Sequence, residues 1–364
     1  MQTNPELSVV IAAYNEEPVI TKNLRHIVDE LSKRPNVLWE MICVDDGGTD
    51  NTGKLMDDFA SANPRVRVFH HRRNFGQGRA LRTAFDQCQG EVIVTLDADL
   101  SYGPEYIFRL MDALREKNVE IALASPYAKG GVVKNVPFYR HLLSRYGNLY
   151  LAKMSHYPIS TSTSVVRAYR REVIDTLDLT SDGMELQLET LMKAYLMGFR
   201  VCEVPARLEW TDAKADKAEF GRVSKMRILR TIRLYLLMGW LQRPAYIFIV
   251  LSWLLIIPGA YMAFAVALVT FKILLEKIPL GLTQSLQVTL KELVTNYYQN
   301  IVFSAAFLVI GILSFAFSLI LLQNKFYFEE LYRLGQNFRK SNYDRTTIID
   351  SQKESDHKEQ NIRI

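Results

Sequence analysis

The sequence predicts an α/β domain with a mostly parallel sheet and helices on both faces, followed by two membrane-spanning helices. Two observations carry this prediction. In the first two thirds of the 364-residue chain, short apolar runs rich in valine and isoleucine alternate with longer segments of helical length. In the last third, residues 245–271 and 301–322 contain no charged side chain, and each is long enough to cross a bilayer as a helix.

Six strands are predicted where short apolar runs end in polar or turn-forming residues. They cover residues 7–13, 39–44, 66–70, 91–96, 120–124 and 200–204. The longer segments around them are predicted to be helical, at residues 18–33, 52–63, 78–87, 104–117, 139–154 and 183–197. In sheets of this kind, ligands bind beyond the carboxyl ends of the strands. Residues 129–136 and 212–221 contain glycine and charged side chains, and they are predicted to be flexible loops.

Basic residues flank both apolar runs. Six lysines and arginines without an intervening acid precede the first run, and four follow the second, whereas lysines and glutamates offset each other between the runs. The positive-inside rule then predicts a multi-pass protein of the inner (cytoplasmic) membrane, with the α/β domain and both termini in the cytoplasm. The basic stretch also contains leucine, isoleucine and methionine, as expected of an amphipathic helix on an anionic membrane surface. An ordinary helix that docks on the α/β domain is the alternative.

These patterns divide the chain into six parts. They are the cytoplasmic domain (1–220), the amphipathic juxtamembrane helix (221–243), the first span (244–271), an extracytoplasmic or interfacial connector (272–300), the second span (301–322) and a partly disordered cytoplasmic tail (323–364). The net charge of +5 is too small to indicate a nucleic-acid partner. The three cysteines show neither metal-ligand spacing nor a disulfide framework.

Two carboxylates follow the fourth strand, in the sequence Leu96-Asp97-Ala98-Asp99. If the strand continues through them, Asp97 and Asp99 point the same way and can present oxygen ligands to one divalent cation, Mg²⁺ or Mn²⁺. An isolated Asp-x-Asp is more often a strand that ends in two solvated acids. Here, however, Asp45 and Asp46 end the second strand, and the carboxyl ends of both strands are expected at the same edge of the sheet. The shared edge favours a metal that holds a diphosphate, with Asp46 accepting hydrogen bonds from a uracil or ribose.

A phosphate monoester is proposed as the nucleophile. Its second pKa is about 6, so it is largely dianionic at pH 7 and needs little help from a general base. It does need cations that hold it near an anionic donor, and attack opposite the leaving group would invert the anomeric carbon. The candidate cations are Arg140, Lys134, Arg145, Arg207 and Lys225, each of which could instead be a solvated surface residue.

Several sequence blocks together resemble the family 2 glycosyltransferases of the GT-A fold, in particular the branch that acts on polyprenyl phosphates. They are Ala13-Tyr14-Asn15-Glu16-Glu17, Val44-Asp45-Asp46-Gly47-Gly48-Thr49-Asp50, Arg73-Asn74-Phe75-Gly76-Gln77-Gly78, Leu96-Asp97-Ala98-Asp99-Leu100 and Gly221-Arg222-Val223-Ser224-Lys225-Met226. Each block is weak alone, but their order and spacing are specific. The resemblance covers residues 6 to about 230 and continues into the two spans.

The resemblance implies an inverting, metal-dependent hexosyltransferase that moves a sugar from a nucleotide-sugar to undecaprenyl or dolichyl phosphate. It implies nucleotide binding by Ala13, Tyr14, Glu16, Asp46, Asn74, Gly76 and Asp97. Asp97 and Asp99 would hold Mg²⁺ or Mn²⁺, and Arg140 would act with them in catalysis. The sequence leaves open the sugar, with UDP-hexose favoured, and whether the chain forms a homo-oligomer.

Three other functions are less consistent with the sequence. A processive polysaccharide synthase normally carries a Q-x-x-R-W block and more spans, and the chain contains no such block. A catalytically silent membrane scaffold would be favoured by loss of the Asp pair, which is present. A dinucleotide oxidoreductase is disfavoured because Gly76-Gln77-Gly78 lacks the full G-x-G-x-x-G pattern.

Overall fold

The computed structural model describes residues 5–154, 157–210, 244–277 and 282–362. The chain forms two compact units, one comprising Met1–Gly239 with Tyr332–Ile364 and the other comprising Trp240–Leu331. The predicted flexible loop at residues 212–221 and the predicted juxtamembrane helix, residues 221–243, lie outside the described residues.

The first unit contains a seven-stranded mixed sheet and a separate two-stranded sheet. The strands are β1 (Leu7–Ala13), β2 (Trp39–Asp45), β3 (Val66–His70), β4 (Val92–Asp97), β5 (Ile121–Ser125), β6 (Val132–Lys134), β7 (Arg167–Arg170), β8 (Val201–Pro205) and β9 (Arg207–Glu209). The large sheet has the order β3-β2-β1-β4-β7-β5-β8, and only β7 runs antiparallel to its neighbours. β6 and β9 form the small parallel sheet. The predicted α/β architecture is confirmed, and all six predicted strands agree with the structure to within one residue at each end.

Helices cover both faces of the large sheet. The helices within residues 5–210 are α1 (Ile20–Ser32), α2 (Thr52–Ser61), α3 (Gln77–Phe85), α4 (Tyr106–Glu116), α5 (Phe138–Met154), α6 (Arg171–Thr176) and α7 (Leu186–Leu196). One apolar core joins α1, α2 and α4 to one face, and the other joins α3, α6 and α7 to the opposite face. Successive strand residues alternate between these cores: Val9 and Ile11 belong to the first, and Val10 belongs to the second. Side chains along a strand point alternately to the two faces of the sheet. Because helices cover both faces, the strands carry apolar side chains on both sides.

Three strands and one short helix were not predicted. β6 and β9 have three residues each, too few for an apolar pattern, and β6 lies in a segment predicted to be a flexible loop. β7 has the sequence Arg-Ala-Tyr-Arg, whose flanking charges do not resemble those of a buried strand. Arg167 at its start is nevertheless fully buried.

The second unit is helical and is built from α8 (Pro244–Lys277), α9 (Leu282–Asn296) and the beginning of α10 (Tyr298–Ile362). The segments Ala245–Lys277 and Tyr298–Gly335 are long and apolar enough to cross a membrane, judged by length and composition. Within this unit, Ser304 of α10 donates a 3.2 Å hydrogen bond to the carbonyl of Gly259 in α8. The predicted connector contains α9, and α10 continues through the segment predicted to be a partly disordered tail.

Candidate active site

The loops that follow β1, β2 and β4 meet at one edge of the sheet. β1 lies between β2 and β4, all three run parallel, and the register pairs Ala13 with Asp45 and Ala12 with Asp97. The backbone N–H of Asp46 extends this contact by donating a 2.9 Å hydrogen bond to the Ala13 carbonyl. Residues predicted from three separate motifs therefore share the edge at which α/β sheets bind ligands.

Asp46 organises the loop between β3 and α3. Its side chain is almost fully buried, and its oxygens accept hydrogen bonds from His71 Nδ1 at 2.7 Å, from the Phe75 N–H at 3.0 Å and from the Gly76 N–H at 2.8 Å. A carboxylate offers about four acceptor positions, so these donors use most of the capacity of Asp46. The structure thus gives Asp46 the role of shaping the loop that carries Asn74 and Gly76, and its contact with a nucleotide stays a prediction.

Gly76 is required by the geometry of this loop. Its φ of +105° is disfavoured for residues with a side chain, and a Cβ atom would lie 2.4 Å from the Asp182 carbonyl oxygen. Asn74, two residues earlier, is exposed on the same loop. The loop can therefore pass close to residues 181–183 only with glycine at position 76.

The turn after β1 is fastened to the loop after β2. The Glu16 N–H donates a 2.8 Å hydrogen bond to Thr52 Oγ1, and Asn15 Oδ1 accepts one of 2.8 Å from the Thr49 N–H. Asn15 adopts a left-handed backbone with φ of +55°, a conformation that asparagine tolerates better than most residues. Tyr14 remains 44% exposed in this fixed turn, so its ring is accessible at the edge.

Asp97 and Asp99 do not lie on one continuous strand, which was the condition for the prediction that strand alternation points them the same way. β4 ends at Asp97, and the chain then turns, with the Leu100 N–H donating a 3.1 Å hydrogen bond to the Asp97 carbonyl. Asp99 is therefore oriented by the turn rather than by strand alternation. Its Oδ1 accepts hydrogen bonds from the Ser101 N–H at 2.9 Å and from Ser101 Oγ at 2.6 Å, while Gln77 Nε2 lies 3.4 Å from Asp97 Oδ1. Both acids are half-buried at the edge.

The two acids fit a cation that is bound together with a ligand. In the part of the chain that the structure describes, no three His, Cys, Asp or Glu side chains form a metal-binding group. Mg²⁺ is commonly held by one or two carboxylates together with substrate phosphates and water, rather than by a complete protein cage. Asp97 and Asp99 would supply oxygen ligands to such a shared site, and this role stays a prediction.

Two of the predicted phosphate-binding cations lie on the small sheet. Lys134 is on β6 and Arg207 is on β9, and the register pairs Lys134 with Glu209. Glu209 Oε1 lies 2.9 Å from Lys134 Nζ, and Glu209 Oε2 lies 2.8 Å from Arg207 Nη2. The Glu209 N–H donates a 2.9 Å hydrogen bond to the carbonyl of Ser101, whose side chain binds Asp99. These contacts place the cations beside the turn that follows β4.

The other predicted cations differ in position. The Arg140 guanidinium lies 5.3 Å from the centre of the Trp210 ring, within cation–π range, and the Trp210 N–H donates a 3.2 Å hydrogen bond to the Lys134 carbonyl. Arg140 is thus connected to the small sheet. Arg145 is exposed and lies roughly 140° around α5 from Arg140, so it faces another direction. Lys225 lies outside the described residues.

Glu209 and Trp210 were missed by the sequence analysis. The available signal was the order Arg207-Leu208-Glu209, which would place both charged residues on one face of a strand. A three-residue strand cannot be distinguished from a loop by its pattern alone.

Glu189 of α7 fixes another loop near Gly76. Its carboxylate accepts hydrogen bonds from the Thr180 N–H at 2.9 Å and the Ser181 N–H at 2.8 Å, and it pairs with Lys193 Nζ at 2.6 Å. Burial alone would raise the pKa of Glu189, but the hydrogen bonds from Lys193, Ser181 and Thr180 outweigh it and lower the pKa to about 2.

We expect Glu189→Gln to reduce stability at pH 7 by on the order of 2 kcal/mol and to flatten its dependence on acid pH. Because the folded-state pKa lies below the ordinary value of 4.5, the stabilisation is present above about pH 4.5 and is lost as the pH falls toward 2. Thermal unfolding of the detergent-purified protein between pH 7 and pH 3 measures this. Glu116→Gln, at an exposed position of α4, is the control. Parallel pH profiles for wild type and Glu189→Gln would contradict the assignment.

Comparison with known proteins agrees with the blocks in the sequence. The profile of the family described as Glycosyl transferase family 2 matches residues 8–178. The chain is 36% identical over 207 residues to a polyprenol monophosphomannose synthase of Mycolicibacterium smegmatis, covering 54% of this chain and 75% of that protein. It is 30% identical over 222 residues to an undecaprenyl-phosphate mannosyltransferase of Micrococcus luteus, covering 59% of this chain and 88% of that protein.

A third relative is a dolichol-phosphate mannosyltransferase of Pyrococcus furiosus, 33% identical over 205 residues. That alignment covers 55% of this chain and 55% of the relative. This chain therefore spans about half the length of that relative. The family profile begins within β1 and ends just after α6, so it includes the three strand ends that form the site. Given this match and the identity across three quarters of the mycobacterial relative, the chain belongs to glycosyltransferase family 2.

Proposed function

We propose that the protein transfers a sugar from a nucleotide-sugar, with UDP-hexose favoured, to the phosphate of a polyprenyl phosphate at the cytoplasmic face of a membrane. The observation that carries this proposal is the chain of contacts that links the acidic turn after β4 to the basic small sheet. Ser101 donates a hydrogen bond to Asp99 and accepts one of 2.9 Å from the Glu209 N–H. The Glu209 carboxylate in turn contacts Lys134 and Arg207.

The relatives support this substrate class by their names. One is called a polyprenol monophosphomannose synthase, and another an undecaprenyl-phosphate mannosyltransferase. Others carry the name undecaprenyl-phosphate 4-deoxy-4-formamido-L-arabinose transferase, at 34% identity over 175 residues in one case. The sugars in these names differ, whereas a polyprenyl-type phosphate is common to them. The acceptor is therefore the better-supported half of the proposal.

On the donor side, the proposal uses the edge formed by β1, β2 and β4. Tyr14, Asn74 and the loop that Asp46 shapes would contact the nucleoside. Asp97 and Asp99 would hold Mg²⁺ or Mn²⁺ against the donor diphosphate. When bound, such an ion neutralises negative charge that develops on the departing diphosphate.

On the acceptor side, Lys134, Arg140 and Arg207 would hold the lipid phosphate. One phosphate oxygen attacks the anomeric carbon, a new carbon–oxygen bond forms, and the bond from that carbon to the donor diphosphate breaks. The nucleoside diphosphate leaves with the electron pair, and no proton has to be removed because the phosphate is already a dianion near pH 7. Attack from the face opposite the leaving group inverts the anomeric configuration.

The exposed face of α5 supports a lipid acceptor. Phe138, Leu142, Tyr146 and Leu149 recur at helical spacing, and each is at least 41% exposed. This row of apolar side chains matches the isoprenoid chain of such an acceptor. Arg145 lies on this face of α5 and not with Arg140, so it is not among the cations assigned to the phosphate. The two apolar helices α8 and α10 and the basic residues around them support a multi-pass protein with both termini in the cytoplasm.

The test is transfer itself. Full-length protein in detergent or vesicles, supplied with undecaprenyl phosphate, Mg²⁺ and a panel of labelled sugar nucleotides, is expected to convert one donor into a chloroform-extractable product. That product should carry a single sugar of inverted anomeric configuration. A ladder of longer products would favour a processive synthase, and nucleotide binding without any product would favour a silent scaffold.

A further inference from the structure

The carboxylate of Glu209 occupies the position between two cations that the proposed function assigns to the acceptor phosphate. Its two oxygens are 2.9 Å and 2.8 Å from Lys134 Nζ and Arg207 Nη2, so one anionic group bridges both side chains. The oxygens of a phosphate would bridge the same pair. Nothing in the reaction scheme above requires an acid here, and the carboxylate opposes the binding of an anion.

We propose that Glu209 is a displaceable internal anion, which holds Lys134 and Arg207 together and competes with the acceptor phosphate for them. This inference rests on the proposed function, because it takes these two cations as the acceptor site. Binding of the phosphate then includes the release of the Glu209 side chain from the pair.

The exposure of these side chains makes the exchange feasible. The side chains of Lys134 and Arg207 are 51% and 53% exposed, and that of Glu209 is 38% exposed. Ion pairs in such solvated positions are weak because water competes for both charges, so a diffusing anion can replace the carboxylate. A fully buried ion pair would not exchange in this way, because breaking it leaves an uncompensated charge in a low dielectric.

The backbone around Glu209 is held independently of its side chain. The Glu209 N–H bonds to the Ser101 carbonyl, the Arg207 N–H donates a 2.8 Å hydrogen bond to Tyr106 Oη, and the Trp210 N–H bonds to the Lys134 carbonyl. These contacts use no carboxylate oxygen. The side chain of Glu209 can therefore leave the cations while β6 and β9 remain paired, and a substitution at this position need not unfold the small sheet.

The variant Glu209→Gln shows whether the Glu209 carboxylate weakens or strengthens phosphate binding. It keeps the shape of the side chain and removes its charge, so the cations lose their internal competitor. We expect the affinity for inorganic phosphate, measured by titration of the full-length protein in detergent, to rise by about five- to tenfold, the equivalent of two weak exposed pairs. The KM for the lipid phosphate should fall by a similar factor, while kcat changes little. Glu209→Asp retains the anion and should remain closer to wild type.

A purely structural ion pair predicts the opposite sign. If Glu209 only positions the cations, Glu209→Gln will weaken phosphate binding and raise KM, and that result would overturn the inference, as would unchanged affinity. Glu6→Gln is the matched control, since it removes a partly exposed carboxylate paired with Arg115 just before β1, at the amino ends of the strands. Arg207→Gln should weaken phosphate binding in either case.

The test of Glu209 and the test of the proposed function can fail independently of each other. Phosphate titration requires no sugar transfer, so it reports on the cation pair even if no donor gives a lipid-linked product. If wild type makes the product and Glu209→Gln binds phosphate no more tightly, the inference fails and the proposed function stands.

Discussion

Asp97→Asn and Asp99→Asn are each expected to reduce sugar transfer by about three orders of magnitude, equivalent to about 4 kcal/mol of transition-state stabilisation. Asparagine keeps the size of the side chain and removes the negative charge that would hold a cation against the diphosphate. At Asp99, the amide oxygen of asparagine can still accept the hydrogen bonds from Ser101, so the turn after β4 should persist. The loss would then reflect charge rather than local unfolding.

Initial rates with undecaprenyl phosphate and the preferred donor measure this effect. Asp58→Asn, which removes a carboxylate from an exposed position of α2, should retain wild-type rates and is the matched control. A chelator should abolish wild-type activity, and added Mg²⁺ or Mn²⁺ should restore it. Turnover by either variant within tenfold of wild type, at an unchanged melting temperature, would refute the assignment of these residues to a metal.

Arg167→Met is expected to have the largest effect on stability. The Arg167 side chain is fully buried, and burial lowers the pKa of its guanidinium. Its nitrogens donate hydrogen bonds to the carbonyls of Ser164 at 2.7 Å, Gln187 at 2.9 Å and Ser162 at 2.8 Å. Methionine fills similar space but leaves these buried acceptors without donors, at a cost of roughly 1 kcal/mol or more for each. We therefore expect a loss of about 3 kcal/mol.

Thermal unfolding of the purified full-length protein measures this loss, which corresponds to a decrease of about 10 °C in Tm for a domain of this size. Arg167→Lys should recover little of it, because one ammonium group cannot reach three carbonyls that lie in different directions. Arg115→Met, at an exposed ion pair with Glu6, is the control and should change Tm only slightly. Wild-type stability of Arg167→Met would show that the carbonyls find other donors or water.

The sequence was sufficient for most of the fold because the strands of the large sheet carry a strong signal. Val9, Val10 and Ile11 are apolar on both faces, as expected where helices cover both sides. β7 lacked this signal because it begins with a charged residue, Arg167, whose guanidinium donates hydrogen bonds to neutral backbone carbonyls. Those carbonyls belong to loop 162–164 and to α7, so the residues of the strand alone do not predict that Arg167 is buried.

The acidic residues at the strand ends of the candidate site could be predicted from the sequence. The contacts that depend on the pairing of the two short strands could not. Asp46 and Asp97 follow apolar runs, and the parallel order of neighbouring strands brings them to one edge. Lys134 and Glu209 are far apart in the sequence, and only the pairing of β6 with β9 makes them neighbours. Arg145 shows the opposite case, in which residues close in sequence are not neighbours in the site. It lies five positions after Arg140 on α5, so the two side chains are on different sides of the helix.

The position of β5 has a consequence for synthesis on the ribosome. β5 is buried along its whole length, and its neighbours β7 and β8 both follow it in the sequence. The first four strands can pair as they emerge, but β5 must wait for β7. At elongation rates of about 5–20 residues per second, this delay lasts several seconds, during which an apolar strand has no native partner. The nascent chain should therefore depend on chaperones most strongly between the emergence of β5 and that of β7.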